Sequence, residues 1–567
     1  MSASRPSPSD GEGGARPFRL RAVLFDFDGT LTHPGALDFP AIKREVGCPP
    51  DQYVLEWILE LPAGEQKDAA ASALERFELQ AADESAPNAG AEELVRWLHA
   101  QGLSIGVLTR NGRGAVERAL RRFTDLTVAD FDVVVTRDDD HVAPKPAPDG
   151  VMHAAAALSV PPDETLVVGD FVLDMRAGRA AGAVTAYLAN HGLAEDGEAP
   201  EPAPADCDFV VGDLTELQDV VRLGLPLAPG KLPDDRLSAF LAGLSHDDPA
   251  LVVPPAVGED AAVLDVAGAD VLVAHGDPIT LGGDDVAAAA VRVNCNDIAA
   301  AGAEPRWLLV TVLFPVGTTP SQAQALLAGI ASAAGEAGVS IAGGHTEVTD
   351  AVRRPVLALT ALGTLARHER QGKRAARTGD RVLLTKALAM EGTALLAAEL
   401  GALLRTRGAD AEELDACRAL AGLTSVVPEA RIARDLPGVH AMHDVTEGGL
   451  ATALRELAAA TGRGVRVHRD RVPVAPETRR LCALLGADPL GLIASGSLLI
   501  CCDPADAPAL AGALAEAGIR ATDIGELLDA DAGVVALERD RPASWPAFAV
   551  DEAARLLAAG QAPRDGR

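Results

Sequence analysis

Ala22-Val-Leu-Phe-Asp26-Phe-Asp28-Gly29-Thr-Leu-Thr32 decides how this chain is read. Four apolar residues form a short strand that ends on a carboxylate. In an open α/β sheet the carboxyl ends of the strands face the crevice where ligands bind, so Asp26 is expected to point into a site. A second carboxylate two residues later allows a division of labour. Asp26 can attack phosphorus as a nucleophile, while Asp28 can protonate the leaving group and afterwards activate water. Gly29 permits the sharp turn that follows and counts with the phosphate-binding residues.

Outward from this stretch, strands and helices alternate. Residues 104–109, 131–136, 164–170, 183–187 and 208–211 read as strands, and 113–123, 150–158 and 175–181 as helices. Such alternation implies a parallel, doubly wound sheet. Three polar groups follow in order. Thr109 ends a strand, where its hydroxyl can hold a phosphate oxygen. Lys145 sits in a stiff Pro-Lys-Pro segment that presents its ammonium to nucleophile and phosphate. Gly169-Asp170 ends another strand, with Asp174 four residues later. Asp170 is expected to bind Mg²⁺ with Asp26 and the Asp28 carbonyl. Asp174 would steady Lys145 or complete the metal shell. Asn111, after Arg110, reads either as a phosphate contact through its amide or as a turn residue.

These four motifs resemble the haloacid-dehalogenase superfamily of phosphatases. The resemblance implies a Rossmann-like, magnesium-dependent phosphohydrolase domain over 18–222 that works through an aspartyl-phosphate, preceded by a disordered tail over 1–17. It also implies a small helical cap over about 34–98 that screens the site from water. Lys43, Arg44 and Trp57 are candidates for choosing a small-molecule phosphate ester, or they belong to a solvated helix face.

The bulk composition narrows the partners. The chain has 567 residues, too many for one core, and a formal net charge of -32. That charge argues against nucleic acid and against an anionic membrane surface. Seven cysteines are scattered without a Cys-x-x-Cys pair, which fits reduced, buried thiols in a cytoplasm. The Leu-, Gly- and Pro-rich stretch over 223–233 reads as a linker, and a further break falls at 370–380.

Beyond the linker, acidic residues recur near strands and Gly-rich stretches. Asp260 lies in Gly-Glu-Asp, Asp277 in His-Gly-Asp-Pro, Asp297 in Asn-Cys-Asn-Asp, and Asp444 in His-Asp-Val-Thr-Glu-Gly-Gly. Scattered carboxylates can hold more than one Mg²⁺ and through them a triphosphate. Gly343-Gly344-His345 reads as a Gly-rich turn whose backbone N–H groups could approach phosphate. His345 is either a ligand or a residue that stabilises the turn.

Together these stretches resemble the ATP-binding superfamily of aminoimidazole ribonucleotide synthetase, closest in flavour to its hydrogenase-maturation branch. The resemblance implies a two-part α+β module, with an ATP-binding domain over 234–372 and a second domain over 373–560, followed by a tail over 561–567. It implies metal or phosphate roles for Asp260, Asp277, Asp297 and Asp444, and phosphate roles for Gly343 and Gly344. It also implies a homodimer formed through 234–372. His275 and His443 flank acids and would support them or simply pack, and Lys231 would reach phosphate or belong to the linker. That branch carries its reacting group on a carboxyl-terminal cysteine, and the stretch Ala562-Pro-Arg-Asp-Gly-Arg567 holds none, so its chemistry is not expected here. The module is expected to bind Mg-ATP and to phosphorylate or activate a small molecule. The alternative is a non-catalytic nucleotide-binding or dimerisation module that regulates the phosphatase.

Overall fold

A computed structural model describes residues 16–140, 142–190, 203–205, 207–244, 248–257, 261, 263–266, 271–279, 285–366, 372–530 and 532–561. The chain divides into two units, the first running to Leu227 and including Gly317–Ala325.

The first unit begins with β1 (Ala22–Phe25) and then two short helices, α1 (Phe39–Val46) and α2 (Val54–Glu60), and a long one, α3 (Glu65–Glu84). The alternating part follows: α4 (Ala91–Ala100), β2 (Ser104–Leu108), α5 (Arg113–Leu120), β3 (Val133–Val135), α6 (Asp149–Leu158), β4 (Thr165–Gly169), α7 (Val172–Ala181), β5 (Val184–Leu188), β6 (Phe209–Val211) and α8 (Leu214–Gly224). All six strands are parallel, in the order β3-β2-β1-β4-β5-β6. Strand order reverses between β1 and β4, and this is the point where a crevice opens at the carboxyl ends. Successive side chains of β1 face opposite ways, as a strand requires. Val23 and Phe25 join the core beneath α4, α5 and α8, whereas Leu24 joins the one beneath α6 and α7.

The cap is shorter than the 34–98 expected. Ile42, Val54, Leu55, Ile58, Ala70 and Leu74 form a small core of their own across α1, α2 and α3. In contrast Ala91, Leu94, Val95 and Leu98 of α4 bury their apolar stripe in the main core with β1. α4 therefore belongs to the sheet domain, and the cap ends with α3. Helical pattern alone does not distinguish the two, because both stretches are amphipathic.

The second unit contains β7 (Gly230–Lys231), α9 (Asp234–Ala242), β8 (Leu251–Val253), β9 (Val263–Leu264), β10 (Val271–Ile279), α10 (Val286–Ala300), β11 (Glu304–Pro315), α11 (Pro320–Ala337) from Leu326 onward, β12 (Ser340–Thr349) and β13 (Val356–Leu365). Five of these strands make a mixed sheet in the order β10-β13-β11-β12-β7. The linker expected at 223–233 is narrower than that, because α8 runs to Gly224 and β7 pairs Lys231 with Glu347.

The rest comprises β14 (Arg381–Thr385), α12 (Met390–Glu399), α13 (Gly401–Thr406), α14 (Ala411–Ala419), α15 (Val427–Arg434), β15 (Val439–Val445), α16 (Gly449–Thr461), β16 (Gly464–His468), α17 (Pro476–Leu485), β17 (Ser497–Cys502), α18 (Ala507–Glu516), β18 (Ala521–Leu528), β19 (Val534–Glu538), β20 (Arg541–Ala543) and α19 (Glu552–Gln561). Its seven strands form a second mixed sheet, β15-β17-β14-β18-β16-β19-β20. The α+β reading of this module stands. All seven cysteines are buried and none forms a disulfide, and no described helix is long and apolar enough to cross a membrane.

The turn expected at Gly343-Gly344-His345 is absent: β12 runs straight through it. β11 and β12 pair in parallel with a bulge after Leu308, where Gly343 rather than Ala342 lies opposite Leu309. A Cβ on Gly344 would lie 1.8 Å from the Val310 carbonyl oxygen, so this glycine answers a close approach of two backbones. Gly344→Ala is expected to destabilise the second unit by about 3 kcal/mol in urea unfolding of the full chain. Gly343→Ala, whose Cβ would meet only Leu309 at 3.6 Å, is expected to cost less than about 1 kcal/mol.

Candidate functional site

In the first unit three strand ends and one loop supply one site. β1 delivers Asp26, β2 delivers Thr109, β4 delivers Asp170, and the segment before α6 brings in Lys145. The Lys145 ammonium donates to Asp26 Oδ1 at 2.6 Å, to Asp174 Oδ1 at 2.5 Å and to the Leu108 carbonyl at 2.9 Å. Its side chain is only 4% exposed. Burial alone would lower its pKa, but Asp174 and Asp26 outweigh that and hold it above the usual lysine range. Asp174 gives Oδ1 to Lys145 and Oδ2 to the Phe171 amide at 3.2 Å. It is a holder of the lysine, one of the two roles expected for it.

Asp28 is oriented by Asn111, whose amide donates to Asp28 Oδ2 at 2.6 Å. Neither role expected for Asn111 describes this contact. Burial first, and then the charge of Asp26, push the Asp28 carboxyl up to about 7, so it can carry a proton near neutrality. The Asn111 backbone N–H in turn donates to the Thr109 hydroxyl at 3.1 Å. Gly29 is required here for two reasons. Its φ is +71°, in the left-handed region, and a Cβ there would lie 2.0 Å from Asp170 Oδ2.

Several participants carry no local sequence signal. Asn190 donates to the Gly29 carbonyl at 2.8 Å and Asn88 to the Thr30 carbonyl at 3.0 Å, pinning the turn after Asp28. Glu78, buried in cap helix α3, accepts from Arg137 at 2.6 and 2.8 Å and from the Gly112 amide at 3.2 Å. This pair fastens the cap to the sheet domain. Above the catalytic floor lies a cavity of about 450 Å³. Of the cap residues singled out from sequence, only Lys43 lines it. Trp57 packs on the cap's own core instead.

Oxygen atoms of Asp26, Asp170 and Asp174 lie within 4.8 Å of one another. Burial, with the charges of Asp26 and Asp174, drives Asp170 well above the usual carboxylate range. One ammonium cannot balance the four carboxylates of this pocket. The surplus of hard oxygen donors fits a divalent cation such as Mg²⁺, with Asp26 and Asp170 as the natural ligands.

A second cluster forms in the other unit. His275 and Asp277 are two residues apart on β10, so they share a face, and Asp297 meets them from α10. His275 Nε2 lies 3.3 Å from Asp277 and 3.2 Å from Asp297. Burial first, and then the nearby charge of Asp444 on β15, push Asp297 up to about 7. Burial also raises Asp444. Asp444 Oδ2 is buried without a hydrogen-bond partner, and Asp297 Oδ2 has His275 Nε2 beside it at 3.2 Å without a well-aligned hydrogen bond. Buried polar atoms left in that state call for a ligand, and this donor set also suits a cation. Lys373, to which sequence gave no role, faces the cluster; it contacts His443 Nδ1 at 2.8 Å, and burial lowers its pKa. His443 in turn contacts Glu456 at 3.2 Å.

Sequence grouped Gly343, Gly344 and His345 with these acids, but the sheet separates them. β12 is three strands from β10, roughly 14 Å at ordinary strand spacing. His345 is exposed and contacts Glu347 at 3.3 Å, so it stabilises no turn. Lys231, opposite Glu347 on β7, is likewise away from the cluster. Asp260 lies outside the described residues.

Comparison with known proteins follows the same division. Residues 20–182 match the family described as haloacid dehalogenase-like hydrolase. Residues 258–365 and 377–538 match the N-terminal and C-terminal domains of AIR synthase related protein. Uncharacterized hydrolase YOR131C of Saccharomyces cerevisiae is 34% identical over 204 residues, which is 36% of this chain and 91% of that protein. Carbamoyl dehydratase HypE of Rhodobacter capsulatus is 32% identical over 291 residues, 51% of this chain and 81% of that protein. The crystal structure of E. coli HypE superposes with a TM-score of 0.48 at 27% identity, covering 56% of this chain and 98% of that one. A structure of the hydrogenase maturation protein HypE in complex with ATP superposes with a TM-score of 0.47 at 25% identity, covering 56% and 95% respectively.

Asp170→Asn removes a crowded buried charge, so it is expected to raise the thermal midpoint of the metal-free protein. The same change removes a cation ligand. In the wild type, Mg²⁺ at a hundred times its dissociation constant is expected to stabilise by about 2.7 kcal/mol, a shift of several degrees in a thermal scan. Asp170→Asn should abolish that shift. A shift that is unchanged in Asp170→Asn would show that Asp170 contributes nothing to it.

Proposed function

The chain belongs to the haloacid dehalogenase-like hydrolases over residues 20–182 and to the AIR synthase related proteins over 258–538, and from this footing we propose that it joins a phosphomonoester hydrolase to a module that binds Mg-ATP. The observation that carries the first half is the Lys145 ammonium bridging Asp26 and Asp174 at 2.6 and 2.5 Å beside Asp28.

In the proposed reaction Lys145 holds Asp26 Oδ1 and leaves Oδ2 uncommitted. Oδ2 forms a bond to phosphorus while the bond to the ester oxygen breaks, and Asp28 gives its proton to that departing oxygen. The Thr109 hydroxyl holds a phosphoryl oxygen, and Lys145, whose three N–H donors go to Asp26, Asp174 and the Leu108 carbonyl, acts through its charge on the nucleophile. Asp28, now a carboxylate, takes a proton from water. The water oxygen bonds to phosphorus, the bond to Asp26 breaks, and inorganic phosphate leaves. Mg²⁺ held by Asp26, Asp170 and the Asp28 carbonyl would offset the charge of the phosphoryl group. The cap, fastened by Glu78 and Arg137, keeps bulk water from the site.

In the second unit, His275, Asp277, Asp297 and Asp444 would hold the cations of Mg-ATP, with Lys373 toward a phosphate. Support comes from the grouping of His275, Asp277 and Asp297, from the buried and unpartnered Asp444 Oδ2, and from the family membership. The chemistry proposed is phosphoryl transfer to a small molecule, or activation of a C=O oxygen in it. A second copy would cover the outward face of the 234–372 sheet, where Leu272 and Leu309 stand exposed.

Release of inorganic phosphate from a panel of monoesters by the full chain tests the first half. Asp26→Asn is expected to lower kcat at least about 1,000-fold and Asp28→Asn about 100-fold or more, with circular dichroism unchanged. Turnover that survives Asp26→Asn would remove this residue as nucleophile. For the second half, calorimetric titration with ATP should show binding only with Mg²⁺, weakened at least tenfold by Asp297→Asn. Heat that is indifferent to Mg²⁺ and to that substitution would sink the ATP site.

A further inference from the structure

We infer that the cavity over Asp26 is shaped for a phosphomonoester whose alcohol part is aromatic or otherwise apolar and carries few hydroxyls; this rests on the phosphatase reading above. Three of the chain's exposed large apolar side chains meet in this one cavity: Phe39 at 53% exposure, Tyr53 at 43% and Phe171 at 38%. They reach it from different elements. Phe39 opens α1, Tyr53 precedes α2, and Phe171 directly follows Asp170. The rings are not loose. Tyr53 meets Phe171 edge to face, with centroids 5.8 Å apart and planes at 90°. The Arg110 guanidinium sits 5.8 Å from the centre of the Tyr53 ring. Leu37, Val54, Leu55 and Leu74 continue this wall within the cap.

Several polar groups of the wall are committed to the protein, although Arg110 Nε is buried without a partner. Glu78 and Arg137 hold each other, and Arg110 is paired with Glu56. Lys43 donates to the Pro50 carbonyl at 2.6 Å, and His33 Nδ1 contacts the Pro34 carbonyl at 2.9 Å. A polyol entering this space would leave hydroxyls without partners, which opposes binding. An apolar ring would instead cover the three exposed aromatic faces while its phosphate reaches Asp26. Tyr53 and Phe171 are thus specificity residues, one from the cap and one beside the acid Asp170, and substrate selection depends on the closed cap.

Benzyl phosphate and sn-glycerol 3-phosphate test this, because both release a primary alcohol and differ chiefly in the body of the ester. For the full chain, kcat/KM is expected to be at least tenfold higher for benzyl phosphate. In Tyr53→Ala the ratio of the two values should fall about tenfold, mostly through KM for the benzyl ester. A ratio is unaffected by any fraction of unfolded enzyme, and Tyr53→Phe should retain it. A wild-type preference for the glycerol ester, or a ratio unchanged in Tyr53→Ala, would overturn the inference while leaving the phosphatase intact. If neither ester turns over, the phosphatase reading fails for them, and titration with benzylphosphonate against 2,3-dihydroxypropylphosphonate reads the cavity alone. Equal affinities there would overturn the inference, and tighter binding of benzylphosphonate would sustain it.

Discussion

The Lys145 ammonium, nearly sealed from water, has two carboxylates and a carbonyl oxygen as its neighbours. A buried charge of this kind is tolerated only when its partners are complete, because an ion stripped of water and left unpaired costs several kcal/mol. That condition positions much of the first unit. Asp26 is held by the end of β1, Leu108 by the end of β2, and Asp174 by the first turn of α7 after β4. Lys145 can be satisfied only if these three parallel strands stand in the observed order. The arrangement of the sheet and the geometry of the pocket are thus mutually dependent.

The lysine does not neutralise the pocket, and the surplus of negative charge has consequences. Asp28 and Asp170 are both raised by burial and by the charge of Asp26. For Asp28 this favours a carboxyl that can give a proton. For Asp170 it creates a demand for a cation. The second unit meets the same physics with a different result. There Lys373 brings positive charge, yet Asp444 Oδ2 stays buried without a partner. In both places carboxylates are brought together at an energetic cost that a bound ion would relieve.

The cap adds selectivity to this chemistry. Its small core holds α1, α2 and α3 together, and Glu78 ties it to Arg137 near the strand ends. Fastened in this way, it sets Tyr53 against Phe171 in an apolar wall above a charged floor. The hydrolysis and the recognition proposed here would therefore rest on opposite kinds of surface.

Much of this was legible in the sequence, for identifiable reasons. Strand-forming apolar runs ending in Asp26, Thr109 and Asp170 are local patterns, and the parallel alternation follows from chain connectivity. The acids Asp277, Asp297 and Asp444 were found for the same reason, since each sits in a compact motif. What failed was local pattern without its partners. Gly343-Gly344 looks like a turn until β11 is placed beside it, when the glycines prove to serve a close strand approach at a bulge. α4 resembles the cap helices until its apolar stripe is seen against β1. Glu78 with Arg137, Tyr53 with Phe171, and Asn111 with Asp28 are pairs joined across elements. The sequence by itself determined which residues carry charge and where strands begin and end, because those properties belong to short segments. Only the tertiary structure decided which charges share a pocket and which rings share a wall, because burial and distance arise when remote segments pack.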